Sequence, residues 1–220
     1  MGRRLAVLGV VALAAVFCGG PAQVQADQPE DPAKFESDPL MGGQKNIMTR
    51  FKLAPKWDRI RKMILDGQSL NSDGLVEWIQ WAQTLKASTP TDRLLAINKR
   101  VNRDFKYDTD DDIWGQADHW ADPLEAVKKR RLDCEDFAIF KFFLAHEAGI
   151  QDEDLAIAIG KIRSTGEFHA IMLGADGDTT YVLDNRSSYM RDTATYGDFT
   201  IMYSVDFNDV WLYPRAYKNN

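Results

Sequence analysis

One stretch constrains the fold more than any other: RLDCEDFAIFKFFLAHEAGI, Arg131 to Ile150. From Phe137 to Leu144 the only polar side chain is Lys141. A helix that is apolar on nearly every side has no face to offer water, so the rest of the chain must wrap around it. Gly149 supplies the residue type that ends such a helix. At the other end Asp133 reads as the N-cap, which puts Cys134 in the first turn with Glu135 and Asp136 beside it.

The segments before and after this helix differ in period. Upstream, Lys56 to Leu65 carries Trp57, Ile60 and Ile64 on one face, and Leu75 to Leu85, capped by Asp73, carries Trp78, Trp81 and Leu85. Asp92 to Asp104, with Thr91 as the candidate cap, repeats Leu94, Leu95, Ile97 and Val101, and Asp122-Pro123 opens a short helix through Lys129. These aromatic and aliphatic stripes are read as core packing. Downstream, LAIAIGKIR, FHAIMLGA, TTYVLDN, FTIMYSVDF and VWLYP are short, β-branched or aromatic, and separated by turn residues, as strands of an antiparallel sheet are. A helical lobe followed by an antiparallel sheet is an α+β arrangement.

The first turn of the central helix has its own chemistry. Unpaired N–H groups and the positive end of the helix dipole favour a thiolate at Cys134, whereas the neighbouring acids disfavour it if they are bare charges. A hard divalent cation held by several carboxylate oxygens resolves the conflict, and calcium suits flexible oxygen ligands. The competing explanation is that acids favour a helix N-terminus anyway. A second acidic run, Asp108, Asp110, Asp111 and Asp112, begins like a calcium-binding EF-hand loop but has Ile113 in place of the glycine and His119 in place of the closing glutamate. It is read as a solvated loop or the source of one ligand.

The amino terminus addresses the compartment. Arg3 and Arg4 precede an apolar run from Leu5 to Cys18, broken by Gly19, Gly20 and Pro21, with Val24-Gln25-Ala26 offering small residues for cleavage. Residues 1–26 therefore read as a signal peptide, 27–45 as a flexible lead-in without periodicity, and 46–220 as the functional domain. Loss of the leader removes two of the 27 basic side chains and none of the 33 acidic ones. The mature chain is then acidic, which argues against nucleic acid as a partner. It has no further run long enough for a membrane span. Only Cys134 of the two cysteines remains, so that chain has no partner for an intramolecular disulfide.

Three histidines are present. His119 lies in a polar loop and His146 ends the apolar helix, where a cation suits the dipole. His169 instead falls within a strand, on the face of Ile171 and Leu173, so its ring needs a polar partner. Taking Asp176-Gly177 as a two-residue hairpin loop sets Ala175 opposite Asp178 and His169 opposite Asp184; a three-residue loop would put Asn185 there. A helix-start cysteine, a strand histidine and a carboxylate from the next strand make a nucleophile, a base and an orienting group. The Cys134 N–H is the natural oxyanion donor, with the Trp114 indole as a second candidate beside its ordinary packing role.

In RLDCEDFAIFK, FHAIML and YVLDN, taken in that order, the chain resembles the bacterial transglutaminase-like cysteine peptidases, and within them the LapG-type periplasmic proteases. The resemblance runs from about residue 46 to the end, and Asp-Cys-Glu-Asp is its most specific part. It implies a papain-like or transglutaminase-like core, a Cys134, His169, Asp184 triad, and a calcium site at Asp133 and Glu135 with Asp136 adjacent. It further implies a periplasmic enzyme that cuts the N-terminal region of a large surface adhesin beside a pair of alanines, so that the adhesin is released and the biofilm disperses. The implied partner is the periplasmic domain of an inner-membrane receptor for cyclic di-guanylate. Two other readings share these residues: acyl transfer to an amine, as in a transglutaminase or deamidase, and a non-catalytic calcium-dependent binding module.

Overall fold

The structure, a computed structural model, describes residues 54–67 and 73–213, together with four short strands nearer the amino terminus: β1 (Leu13–Phe17), β2 (Gly20–Val24), β3 (Phe35–Ser37) and β4 (Gln44–Ile47). The sequence-based reading of residues 1–26 as a leader falls mostly outside the described residues. In the stretch expected to be an unstructured lead-in, β3 and β4 pair with each other, and β4 pairs with the last strand of the main sheet. An edge strand offers unpaired backbone N–H and C=O groups, and backbone pairing needs no side-chain period, so this extension left no pattern in the sequence.

Three helices come first: α1 (Ala54–Asp66), α2 (Asp73–Thr84) and α3 (Pro90–Asp104). Thr89, not Thr91, caps α3, its hydroxyl accepting from the N–H of Asp92. Pro90 occupies the first helical position, where its missing N–H costs nothing. Thr91 then points elsewhere, its hydroxyl donating to Asp176 Oδ2 at 2.6 Å. After α3 come β5 (Lys106–Tyr107), a one-turn α4 (Asp110–Trp114), α5 (Pro123–Lys129) and β6 (Arg131–Leu132). Asp122 caps α5 in a reciprocal capping box with Glu125.

The central helix, α6 (Cys134–Glu147), is buried from Cys134 through Ala145. Trp78 of α2 packs edge-on against Phe140, with ring centroids 5.3 Å apart, and Trp57 of α1 packs edge-on against Phe142 at 5.2 Å. The aromatic stripes thus form the core around one helix. Gly149, at φ 76, releases the chain from it.

The sheet is formed by β7 (Leu155–Ile162), β8 (Phe168–Asp176), β9 (Thr179–Leu183), β10 (Arg191–Asp192), β11 (Phe199–Val205) and β12 (Val210–Leu212), all antiparallel in the order β10-β9-β8-β7-β11-β12, with β4 and β3 continuing it. Its two faces are both apolar. Ile157, Ile159, Ala170 and Met172 join the cluster that contains α6, whereas Ala156, Ala158, Ile171, Leu173 and Val182 form a second one. Gly160 of β7 lies opposite a bulge in β11, where a side chain would meet Thr200 O at 2.2 Å. Only a residue without Cβ lets the backbones approach so closely.

Candidate active site

A two-residue parallel ladder builds the first half of the site. Lys106 pairs with Arg131 and Tyr107 with Leu132, so the acids after Tyr107 run beside the acids after Leu132. Arg131 fastens the arrangement through Asp108, its Nε donating at 2.7 Å. Thr109 then caps α4, accepting from the N–H of Asp112, which makes Asp110 the first helical residue and turns it inward. Asp110, Asp133 and Glu135 are all buried, and one oxygen from each lies within 4.8 Å of the others.

These three carboxylates are short of donors. Asp133 Oδ1 accepts from the N–H of Asp136, as the N-cap should, but Oδ2 is buried without a hydrogen bond. Asp110 Oδ1 and Glu135 Oε1 are in the same condition. Burial pushes Asp133 up to about 8, with the Asp110 charge adding to it. Burial also drives Glu135 well above the usual carboxylate range, reinforced by Asp133, and raises Asp110. Three buried carboxylates that lie this close together, each with one oxygen short of a donor, fit a hard divalent cation, whose charge would let all of them ionise.

Asp136, expected as a ligand, stands apart from this group. Successive helical residues are separated by about 100°, so Asp136 is turned away from Glu135. Its Oδ1 accepts from the N–H of Ala121 at 2.7 Å and holds the loop before α5. Its Oδ2 is buried without a hydrogen bond, but the residue grouped with Asp133 and Glu135 is Asp110. The sequence signal for Asp110 was the Thr109-x-x-Asp112 cap with three acids in its first turn, rather than the failed EF-hand pattern.

Cys134 is the first residue of α6 and is buried, its Sγ 3.1 Å from Glu135 Oε2. The nucleophile considered below is the Cys134 thiol in the chain without residues 1–26.

The second half of the site lies at the start of β8. Asp176 pairs with Thr179, so the hairpin loop is Gly177-Asp178 rather than Asp176-Gly177, with Gly177 at φ 59 in its first position. That moves the register by two, and Met172 faces Leu183. An even shift keeps every side chain on its face, so Asp184 still shares a face with His169 but sits diagonally to it, just beyond the end of β9. His169 Nε2 and Asp184 Oδ1 are 2.8 Å apart, and both residues are buried. Strand alternation gives His169 the face of Ile171 and Leu173, while Ala170 and Met172 face α6. Among the described residues His169 hydrogen-bonds Asp184 and not Cys134.

Asp184 is held from several directions. Oδ2 accepts from Tyr196 Oη at 2.7 Å and from Arg186 Nη2 and Nε at 3.0 and 3.1 Å, and Oδ1 also accepts from the Arg186 N–H at 2.9 Å. Burial alone would raise its carboxyl, but the hydrogen bonds and charges of His169 and Arg186 outweigh burial and hold it well below the usual range. A carboxylate so placed stays ionised, and it fixes the imidazole tautomer with the proton on Nε2.

The remaining candidates are structural. His146 Nδ1 pairs with Asp152 Oδ1 at 2.7 Å, and the His119 ring stacks on Trp114 at 4.3 Å with its Nε2 3.3 Å from Glu125 Oε2. Lys129 Nζ lies over the Trp114 ring, 4.6 Å from its centroid, and the indole Nε1 is buried without a hydrogen bond. Among the described residues no helix is long and apolar enough to cross a membrane.

The family model for the bacterial transglutaminase-like cysteine proteinases matches residues 78–216. The structure is similar to that of LapG from Legionella pneumophila, with a TM-score of 0.57 and 25% identity over 70% of this chain and 86% of that one. The calcium-bound and EGTA-treated forms of the Legionella protein match with the same score and identity, each over 71% of this chain. No curated protein matches the sequence.

Proposed function

The chain belongs to the bacterial transglutaminase-like cysteine proteinases, and on that premise we propose that it is a calcium-dependent cysteine endopeptidase working through Cys134, His169 and Asp184. The observation that carries the reading is the buried His169–Asp184 hydrogen bond, which uses Nε2 and leaves Nδ1 for a thiol. Because strand alternation turns His169 to the face away from α6, catalysis requires the start of β8 to move so that Nδ1 comes within hydrogen-bond reach of Sγ when substrate binds. Nδ1 then accepts the Cys134 proton, the thiolate attacks the scissile carbonyl, and the imidazolium returns the proton to the leaving amine. The Cys134 N–H, in the first turn of α6, donates to the oxyanion. Water, activated by the same imidazole, releases the acyl group.

Asp110, Asp133 and Glu135 would hold the calcium ion; when bound, it supplies the positive charge that lets these carboxylates ionise beside the nucleophile. The Legionella protein with a calcium-bound form supports the same choice of metal. For the substrate we propose the N-terminal region of a large surface adhesin, cut beside paired alanines in the periplasm to release the adhesin and disperse a biofilm. Regulation would come from the periplasmic domain of an inner-membrane cyclic di-guanylate receptor. The sequence resemblance supports both.

The test is incubation of the mature, reduced chain with N-terminal adhesin fragments from the same cell. Cleavage is expected with calcium and not with chelator, and Cys134→Ala should abolish it. Cleavage unaffected by chelator would remove calcium from the mechanism. Cross-linking of an added amine in place of cleavage would make the enzyme a transferase, and calcium-dependent binding that survives Cys134→Ala without any cleavage would make it a binding module.

A further inference from the structure

Lys141 is the one polar interruption of the apolar stretch of α6, and it is wholly buried. Burying an ammonium group costs several kcal/mol unless it is well paired, and a methionine would fill the same space without that penalty. Its Nζ donates to Asn98 Oδ1 of α3 at 2.8 Å and lies 5.6 Å from the centre of the Phe137 ring. Burial lowers the ammonium to about 7, opposed by the charge of Asp184.

The consequence is directional. With its Oδ1 accepting from Nζ, Asn98 presents its oxygen to α6 and its Nδ2 to the other side. There Nδ2 donates to Ser187 O at 2.8 Å. One helical turn on, Asn102 Nδ2 donates to Asp184 O at 2.8 Å and to Ser187 O at 2.9 Å. Both asparagines thus grip the turn that follows β9, which is itself closed by the Ser187 N–H on Asp184 O at 3.3 Å.

We propose that Lys141, Asn98 and Asn102 are positioning residues for Asp184, forming a buried relay from α6 through α3 that fixes the Asp184–Ser187 turn and so aims the carboxylate at His169. The relay rests on the catalytic reading of that pair. It explains why a lysine stands in an otherwise apolar helix. It also supplies what the sheet does not, because Asp184 lies past the last paired residue of β9 and has no ladder partner to fix it. Arg186 and Tyr196 fasten the carboxylate itself; the relay fastens the backbone that carries it.

The test compares wild type with Lys141→Met and Asn102→Ala, each in the reduced full-length chain. Two readouts are used: steady-state cleavage, and the titration and Nε2 proton signal of the His169 ring by NMR. Both variants are expected to lose about ten-fold or more in kcat with KM unchanged, since a misaimed base slows chemistry and not binding. The imidazole should titrate at lower pH, because a displaced carboxylate stabilises the imidazolium less. Should Lys141→Met fail to fold, Asn102→Ala, at the less buried end of the relay, decides the matter. Unchanged ring titration with a retained Nε2 proton signal would overturn the relay, whatever happens to melting temperature. The NMR readout needs no substrate, so it also separates failure of the relay from failure of the peptidase reading.

Discussion

Oδ2 of Asp184 receives a phenol and a guanidinium at once, and the two donors also touch each other, Arg186 Nη2 lying 3.0 Å from Tyr196 Oη. A hydrogen bond to a charged group contributes about 1.5–3 kcal/mol, and Tyr196→Phe removes one while leaving Arg186 in place. The expected result is a loss of roughly ten-fold in kcat, measured at saturating substrate. Asp184→Asn keeps the shape but not the charge, and should cost on the order of a hundred-fold or more. The pairing of residues 169 and 184 was legible because His169 lies in a strand and an aspartate follows the next one. The diagonal geometry was not, since Asp176-Gly177 and Gly177-Asp178 are both acceptable loops and the residues around them do not choose between the two registers.

At the scale of elements, the sheet depends on two glycines whose neighbours differ. A Cβ at Gly160 would run into backbone, Thr200 O at 2.2 Å, whereas one at Gly174 would meet the tip of Leu94 at 2.6 Å. Backbone in a paired strand cannot withdraw as a leucine tip can. Gly160→Ala should therefore destabilise the protein by about 3 kcal/mol or more and Gly174→Ala by about 1–2 kcal/mol, as read from denaturant midpoints. The helices α1, α2, α3, α5 and α6 were visible from stripes and terminal signals, although Asp73 lies inside α2 and the cap of α3 is Thr89 rather than Thr91. What escaped notice was α4, too short for a period, together with the β5–β6 ladder, a pairing of two residues on each side that carries no pattern. That ladder is the reason Asp110 reaches Asp133.

For the molecule as a whole, the carboxylate cluster sets the response to pH. Asp133 is raised to about 8 in the folded state from an ordinary 3.8, so folding without metal takes up a proton. The stability associated with that proton is complete below about pH 4 and is lost as pH rises through about 8. In chelator, the melting temperature should fall across this interval. With calcium the fall should be suppressed, because the cation displaces the protons and binds more tightly as pH rises. Equal melting curves with and without calcium at pH 8 would separate the cluster from metal binding.

The first described helix is tied to the turn between β11 and β12. Trp57 Nε1 donates to Asp206 O and Arg61 Nη1 to Phe207 O, each at 2.6 Å, while Lys56 donates to Asp118 O at 2.9 Å. During synthesis α1 emerges long before the residues that complete its binding surface, so the newborn polypeptide cannot close over α1 until residues 206 and 207 have been made. A chain stopped ahead of residue 206 should be cut by trypsin within α1, and the finished chain should not.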